Sequence, residues 1–222
     1  MNLVDAKEAL PIAQRLLKNL QQSVPPSGRA GSDARMALGD LYATLFAKIE
    51  GDALGPPLDW CFQLVIASGA SVADFTRVRV LTEAEQPLTL GATLIRDCGI
   101  NFCLIAIGQV ISTMTFTSRS DVETVMQSLI QPFADAEEIA ADSMDPATFQ
   151  ALIALHGAIN NHLVKTAMPL PRMLTYQFFD TLPSLVLAHR LYGDAGRADE
   201  IVAENKIVHP AFCPNVGRAL SS

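Results

Sequence analysis

Residues 176–220 read YQFFDTLPSLVLAHRLYGDAGRADEIVAENKIVHPAFCPNVGRAL, and their local pattern decides the fold. Leu174, Tyr176 and Phe178 alternate with Thr175 and Gln177, the period of a half-buried strand. This extended run closes at Asp180 and Thr181. An amphipathic helix follows, with Thr181 as its expected cap and Pro183 tolerated in its first turn. It stops at Tyr192, Gly193 and Asp194, with Gly193 where a left-handed residue is expected. A second short helix is predicted over 197–205, with Asp199 and Glu200 favourably placed for its dipole. A turn over 207–214 then leads to Gly217 and a short last strand. Residues 172–222 are therefore expected to form a small β-α-α-β module.

Everything before this module reads as helix. Leu3, Ala6, Leu10, Ala13, Leu17 and Leu20 recur at alternating spacings of three and four, an amphipathic helix with a coiled-coil-like seam. Pro11 either kinks that helix or starts it. Residues 1–22 have two readings of equal weight: a helix packed on its own domain, or a protruding helix that pairs with another chain. After the turn SVPPSGRAGS (23–32), Ser32 is expected to cap a helix whose inner face is Leu38, Leu41, Tyr42, Leu45 and Ile49. Leu58, Cys61, Phe62, Val65 and Ile66 mark a third helix. Capping boxes are expected at Ser71 with Asp74 and at Ser120 with Glu123, and Asp145 with Pro146 opens the last long helix. The sequence Met168-Pro169-Leu170-Pro171 ends it and is the clearest domain boundary. Residues 1–168 are thus predicted to be a bundle-like body of about seven helices, and the chain as a whole mainly α.

Composition narrows the function. The chain has 222 residues, enough for a sizeable core; half are hydrophobic but only 6% aromatic, so that core is mostly aliphatic. The formal net charge is -7 and no basic stripe is present, so direct nucleic-acid binding is not expected. Cys61, Cys98, Cys103 and Cys213 are scattered, without a C-x-x-C pair, and read as free thiols in a reducing compartment. The N-terminus, with Asp5 and Glu8 and no apolar core region, does not resemble a secretory signal. Residues 99–116 carry no charge and reach the short edge of membrane-spanning length. Their polar Asn101, Gln109 and Ser112 favour a buried central helix over a span.

Chemistry-bearing sets are sparse. No phosphate loop and no nucleophile elbow occurs. His156 shares a helix face with Leu152 and Ile159 and reads as a packed residue. His209 and Cys213 lie four apart without a third ligand nearby, and the acidic run from Asp135 to Asp145 reads as a solvated helix end. No enzyme, metal or cofactor is expected.

The module resembles LysM, which shows an extended start, a D-T-L helix opening, a Y-G-D stop, an E-I-x-x-x-N second helix and a late glycine. Here those are Asp180-Thr181-Leu182, Tyr192-Gly193-Asp194, Glu200-Ile201 with Asn205, and Gly217. A closer resemblance covers Pro171-Arg172, residues 181–194 and 197–205, and His209-Pro210-Ala211-Phe212. These look like the C-terminal end of the DNA circularisation proteins of Mu-like phages, which are tail and baseplate components. The region 88–165 is similar to that family's middle section, while the family's N-terminal β-rich domain has no counterpart here. The resemblance implies a structural protein of a phage tail, baseplate or tail-like particle, made in the bacterial host cytoplasm. Its partners would be other baseplate subunits and further copies of itself, with no membrane. Tyr176, Phe178, Leu191, Tyr192 and Phe212 would be the module's packing anchors. The alternative is a peptidoglycan-binding protein, whose LysM-like groove would fall at Asp180 and Thr181 and across Ile207 to Pro210.

Overall fold

The computed structural model describes residues 2–221. Among them are nine α-helices, one 3-10 turn and two strands, a mainly α protein ending in a small β-α-α-β module. The chain divides into two compact units, Met1–Met114 with Ile130–Ile159, and Thr115–Leu129 with Asn160–Ser222.

The first unit begins with α1 (Leu3–Ser23), capped by the Asn2 side chain, which accepts from the Asp5 N–H at 2.8 Å. Pro11 lies inside this continuous helix. Within the chain this helix packs on its own unit. Ala6, Ala9, Ile12, Ala13, Leu16, Leu17 and Leu20 are buried, and α1 packs on α2 (Arg29–Glu50), α4 (Val72–Glu83) and α5 (Leu90–Thr113). Full burial stabilises each leucine or isoleucine by about 1.5–3 kcal/mol, so this seam is a principal support of the unit.

Side chains of α1 also close the start of α5. Glu8 accepts from the Leu88 and Thr89 N–H groups at 2.7 and 2.9 Å, and Asp5 from the Gly91 N–H at 3.2 Å. These satisfy donors that a helix start leaves without intrahelical partners. The α3 helix (Gly55–Ala67) places Phe62 between Phe75 of α4 and Phe102 of α5, with ring centroids 6.1 and 5.4 Å apart. By length and composition α5 could cross a membrane, but it is the unit's central helix, with Ile100, Cys103, Leu104, Ile107 and Ile111 buried.

Three local expectations change. The α2 helix starts at Arg29 rather than after Ser32, because Gly28 takes the positive-φ entry and the Ser32 N–H already donates to the Gly28 carbonyl. Tyr42 of α2, expected inside, is exposed. The second capping box lies two residues earlier than predicted. Ser118 and Asp121 exchange bonds, the Ser118 N–H donating to the Asp121 carboxylate at 3.0 Å and the Asp121 N–H to Ser118 Oγ at 3.2 Å. The Ser71–Asp74 box and the Asp145 cap of α7 (Pro146–Ala167) form where expected.

The second unit holds the start of α6 (Arg119–Asp142), the end of α7 and the terminal module. The segment 168–171, where the sequence places a domain boundary, is bonded to the start of α6. Arg119 donates from its guanidinium to the Leu170 and Met168 carbonyls at 2.7 and 2.8 Å, and from its backbone to the Pro171 carbonyl at 3.0 Å. This clamp binds residues 115–129 and 160–168, which the sequence assigned to the helical body, into the same unit as the module.

Candidate functional site

The module is built on an antiparallel pair, β1 (Met173–Gln177) and β2 (Val216–Leu220), in register Met173↔Leu220 through Gln177↔Val216. Between the strands lie α8 (Ser184–Tyr192) and α9 (Ala198–Glu204). Tyr176, Leu187, Ala188, Ala198, Ile201, Cys213 and Ala219 form the small core. Gly193 ends α8 in the left-handed conformation, φ 74°, as the sequence predicts. Thr181 does not cap α8. Pro183 takes that position, and Leu182 instead bridges to Cys213, whose N–H donates to the Leu182 carbonyl at 3.1 Å.

Several expected interaction residues are consumed in holding the module together. Asn205 donates to the Arg218 carbonyl at 2.8 Å and accepts from the Arg218 N–H at 2.7 Å, while also donating to the Ile201 carbonyl. It therefore ties the end of α9 to β2. Tyr192 Oη accepts from the Leu220 N–H at 3.1 Å. The Arg197 guanidinium lies 3.9 Å from the Tyr192 ring centroid and is itself held by Glu200 at 2.9 and 2.7 Å. Tyr176 is buried, its ring 5.9 Å from Phe178, and its hydroxyl has no partner. Burial pushes the Tyr176 and Tyr192 phenols and the Cys213 thiol up from their ordinary values. Phe178, Leu191 and Ile207 pack partly buried against the core.

Other residues point outward. Asp180, Thr181 and Pro210 are exposed, and Phe212 is 70% exposed with its ring 5.4 Å from His209. The two loops that carry them are laced together. The Phe178 N–H donates to the Asn215 carbonyl and the Ser184 N–H to the Pro210 carbonyl, both at 2.7 Å. Around this seam two further apolar side chains are exposed that the sequence reading did not single out, Phe179 (103%) and Val208 (98%), and Leu185, on the amphipathic α8, is exposed as well (60%). A signal for Phe179 existed, since it falls out of phase with Tyr176 and Phe178 in the strand alternation. Val208 carried none, because its exposure depends on how the loops pair.

Among the described residues no group of three His, Cys, Asp or Glu side chains is placed to hold a metal. His156, in the first unit, stacks on Phe133 at 4.5 Å, with Nδ1 3.6 Å from Glu137. Set against known proteins, the chain matches no family model and no curated sequence.

Proposed function

We propose that this chain is a structural subunit of a phage tail, baseplate or tail-like particle, and that it acts by docking through the loop seam of its C-terminal unit. The carrying observation is the set of solvent-facing apolar side chains Phe179, Val208 and Phe212 on loops joined by backbone hydrogen bonds, with Leu185 in the first turn of α8 beside them. Apolar groups on a rigid support suit recognition of a partner, because little ordering entropy is lost on contact. The sequence resemblance to the DNA circularisation proteins supplies the kind of particle, and the LysM-like motif supplies the kind of module. The test is mass spectrometry of tail-like particles purified from the native host. The reading expects this chain among their components; its absence from intact particles removes the reading.

Peptidoglycan binding is the second reading. It is favoured by the bond from Ser184 to Pro210, which ties the start of α8, just after the 180–181 segment, to the end of the 207–210 segment. Retention of the full chain on purified cell wall, lost on substituting Thr181 and Ile207, would select it over docking.

A further inference from the structure

The first unit contains a groove that the docking reading does not use. It has a volume of ≈ 560 Å³ and runs between α5 and the facing parts of α6 and α7. Its walls are largely apolar: Leu90, Leu94 and Ile105 from α5, Ile139 from α6, Leu152 and Leu155 from α7. The α5 residues that line it recur once per turn from Leu90 to Ile105, a stripe about 22 Å long at 1.5 Å per residue. Beyond its lining residues α5 and α7 pack closely, since a Cβ on Gly108 would lie 2.8 Å from Ile159 Cδ1. Towards its open end Leu90 and Leu94 are 74% and 54% exposed.

Asp145 lines this groove, and α6, which forms one of its sides, carries further carboxylates next to its lining residues. Between Arg119 and Lys165 the chain has no lysine or arginine, and Asp135, Glu138, Asp142 and Asp145 lie on and after the last turns of α6, while Glu137 faces His156 of α7 at 3.6 Å. Asp145 lies in the groove lining and stays ionised, its carboxyl held below the usual range by hydrogen bonds from Thr148. Asp97, on the opposite wall, is neutralised by Arg96 at 2.7 Å. The charge is therefore one-sided, beside an elongated apolar trough.

From this juxtaposition we infer that the groove is a docking site for a cationic amphipathic helix of a partner protein. Apolar side chains at i, i+3 or i+4, and i+7 enter the trough, and lysines or arginines on one flank meet the α6–α7 carboxylates. The length of the trough and the lateral charge fit a helix of four turns better than a compact small molecule.

The test uses the full chain and fluorescein-labelled peptides of about 15–18 residues, four to five turns. One peptide has leucines on one helical face and lysines elsewhere. A second has the same composition scrambled to abolish the face, and a third has glutamate in place of lysine. The Leu/Lys peptide is expected to bind saturably and more weakly as salt rises, and the two controls to bind about tenfold less tightly or worse. Ala151→Trp fills the trough from an exposed lining position, and Leu94→Asp adds a charge to its wall. Each should weaken the Leu/Lys peptide about tenfold while leaving the helical circular dichroism and the melt unchanged. Equal binding of the scrambled peptide, or tighter binding to Leu94→Asp, would mean attraction by charge alone and overturn the inference. So would binding indifferent to Ala151→Trp. Binding of an apolar dye that Ala151→Trp abolishes, with no peptide binding, would make the groove a small-ligand pocket and equally end the helix reading.

Discussion

At the level of single residues, the module depends on two side chains meeting over one strand position. Gly217 lies opposite Tyr176 in the β1–β2 pair, and a Cβ there would fall 2.5 Å from Tyr176 Oη and 2.6 Å from Asn205 Oδ1. Neither neighbour can retreat easily, because Tyr176 is in the core and Asn205 is fixed by its bonds to Arg218. Gly217→Ala is expected to destabilise the second unit by about 1–3 kcal/mol, the usual range for overpacking. Tyr176→Phe is expected to change stability by less than about 0.5 kcal/mol, because the hydroxyl it removes is buried without a partner. Chemical denaturation of the two variants checks both, and a reversed order would refute the packing described. The Asp180-Thr181-Leu182 motif was legible as a helix entrance, but the bridge from Leu182 to Cys213 was not, since it joins loops some 30 residues apart.

At the level of elements, helix starts rest on carboxylates. Glu8 is held below the ordinary glutamate value of 4.5 by hydrogen bonds from Thr89 and Leu88, and Asp74 below the ordinary aspartate value of 3.8 by its bonds with Ser71. A carboxyl whose folded-state pKa is depressed stabilises the fold above its unfolded pKa and loses that contribution as pH falls through the folded value. The melting temperature is therefore expected to fall on acidification below about pH 4.5, with Glu8→Gln showing a flatter decline than the parent protein. Melts recorded across pH 3 to 7, about the carboxylate range, read this directly, and parallel profiles for the two proteins would argue against the Glu8 cap. The helices themselves were legible because capping residues and apolar periodicity agree over long stretches. Where two cap patterns overlap, as with Ser118 and Ser120 before α6, the sequence offered both and the hydrogen bonds to Asp121 chose the first.

For the molecule as a whole, the division into two units cuts across the sequence boundary. Prolines at 169 and 171 announce an end to helix but say nothing of what then packs on the segment. Arg119, some 50 residues earlier, supplies the answer through three backbone carbonyls. Arg119→Ala should lower the stability of the second unit by about 1–3 kcal/mol, because the part-buried Leu170 carbonyl and the exposed Met168 carbonyl both lose a charged donor. Hydrogen exchange at residues 170–177 should rise in that variant, and unchanged protection there would contradict the clamp. The exposed apolar rim of Phe179, Val208 and Phe212 is likewise a property of the assembled loops and not of any one stretch of sequence.

The proposal that this protein works by contact through that rim is tested most directly by incorporation. Phe179 and Phe212 are replaced together by serine in the native host, and assembled tail-like particles are purified and weighed for the chain by quantitative mass spectrometry. The account predicts that the variant folds, as judged by its circular dichroism, and is lost from the particles. Incorporation at the parental level would contradict it.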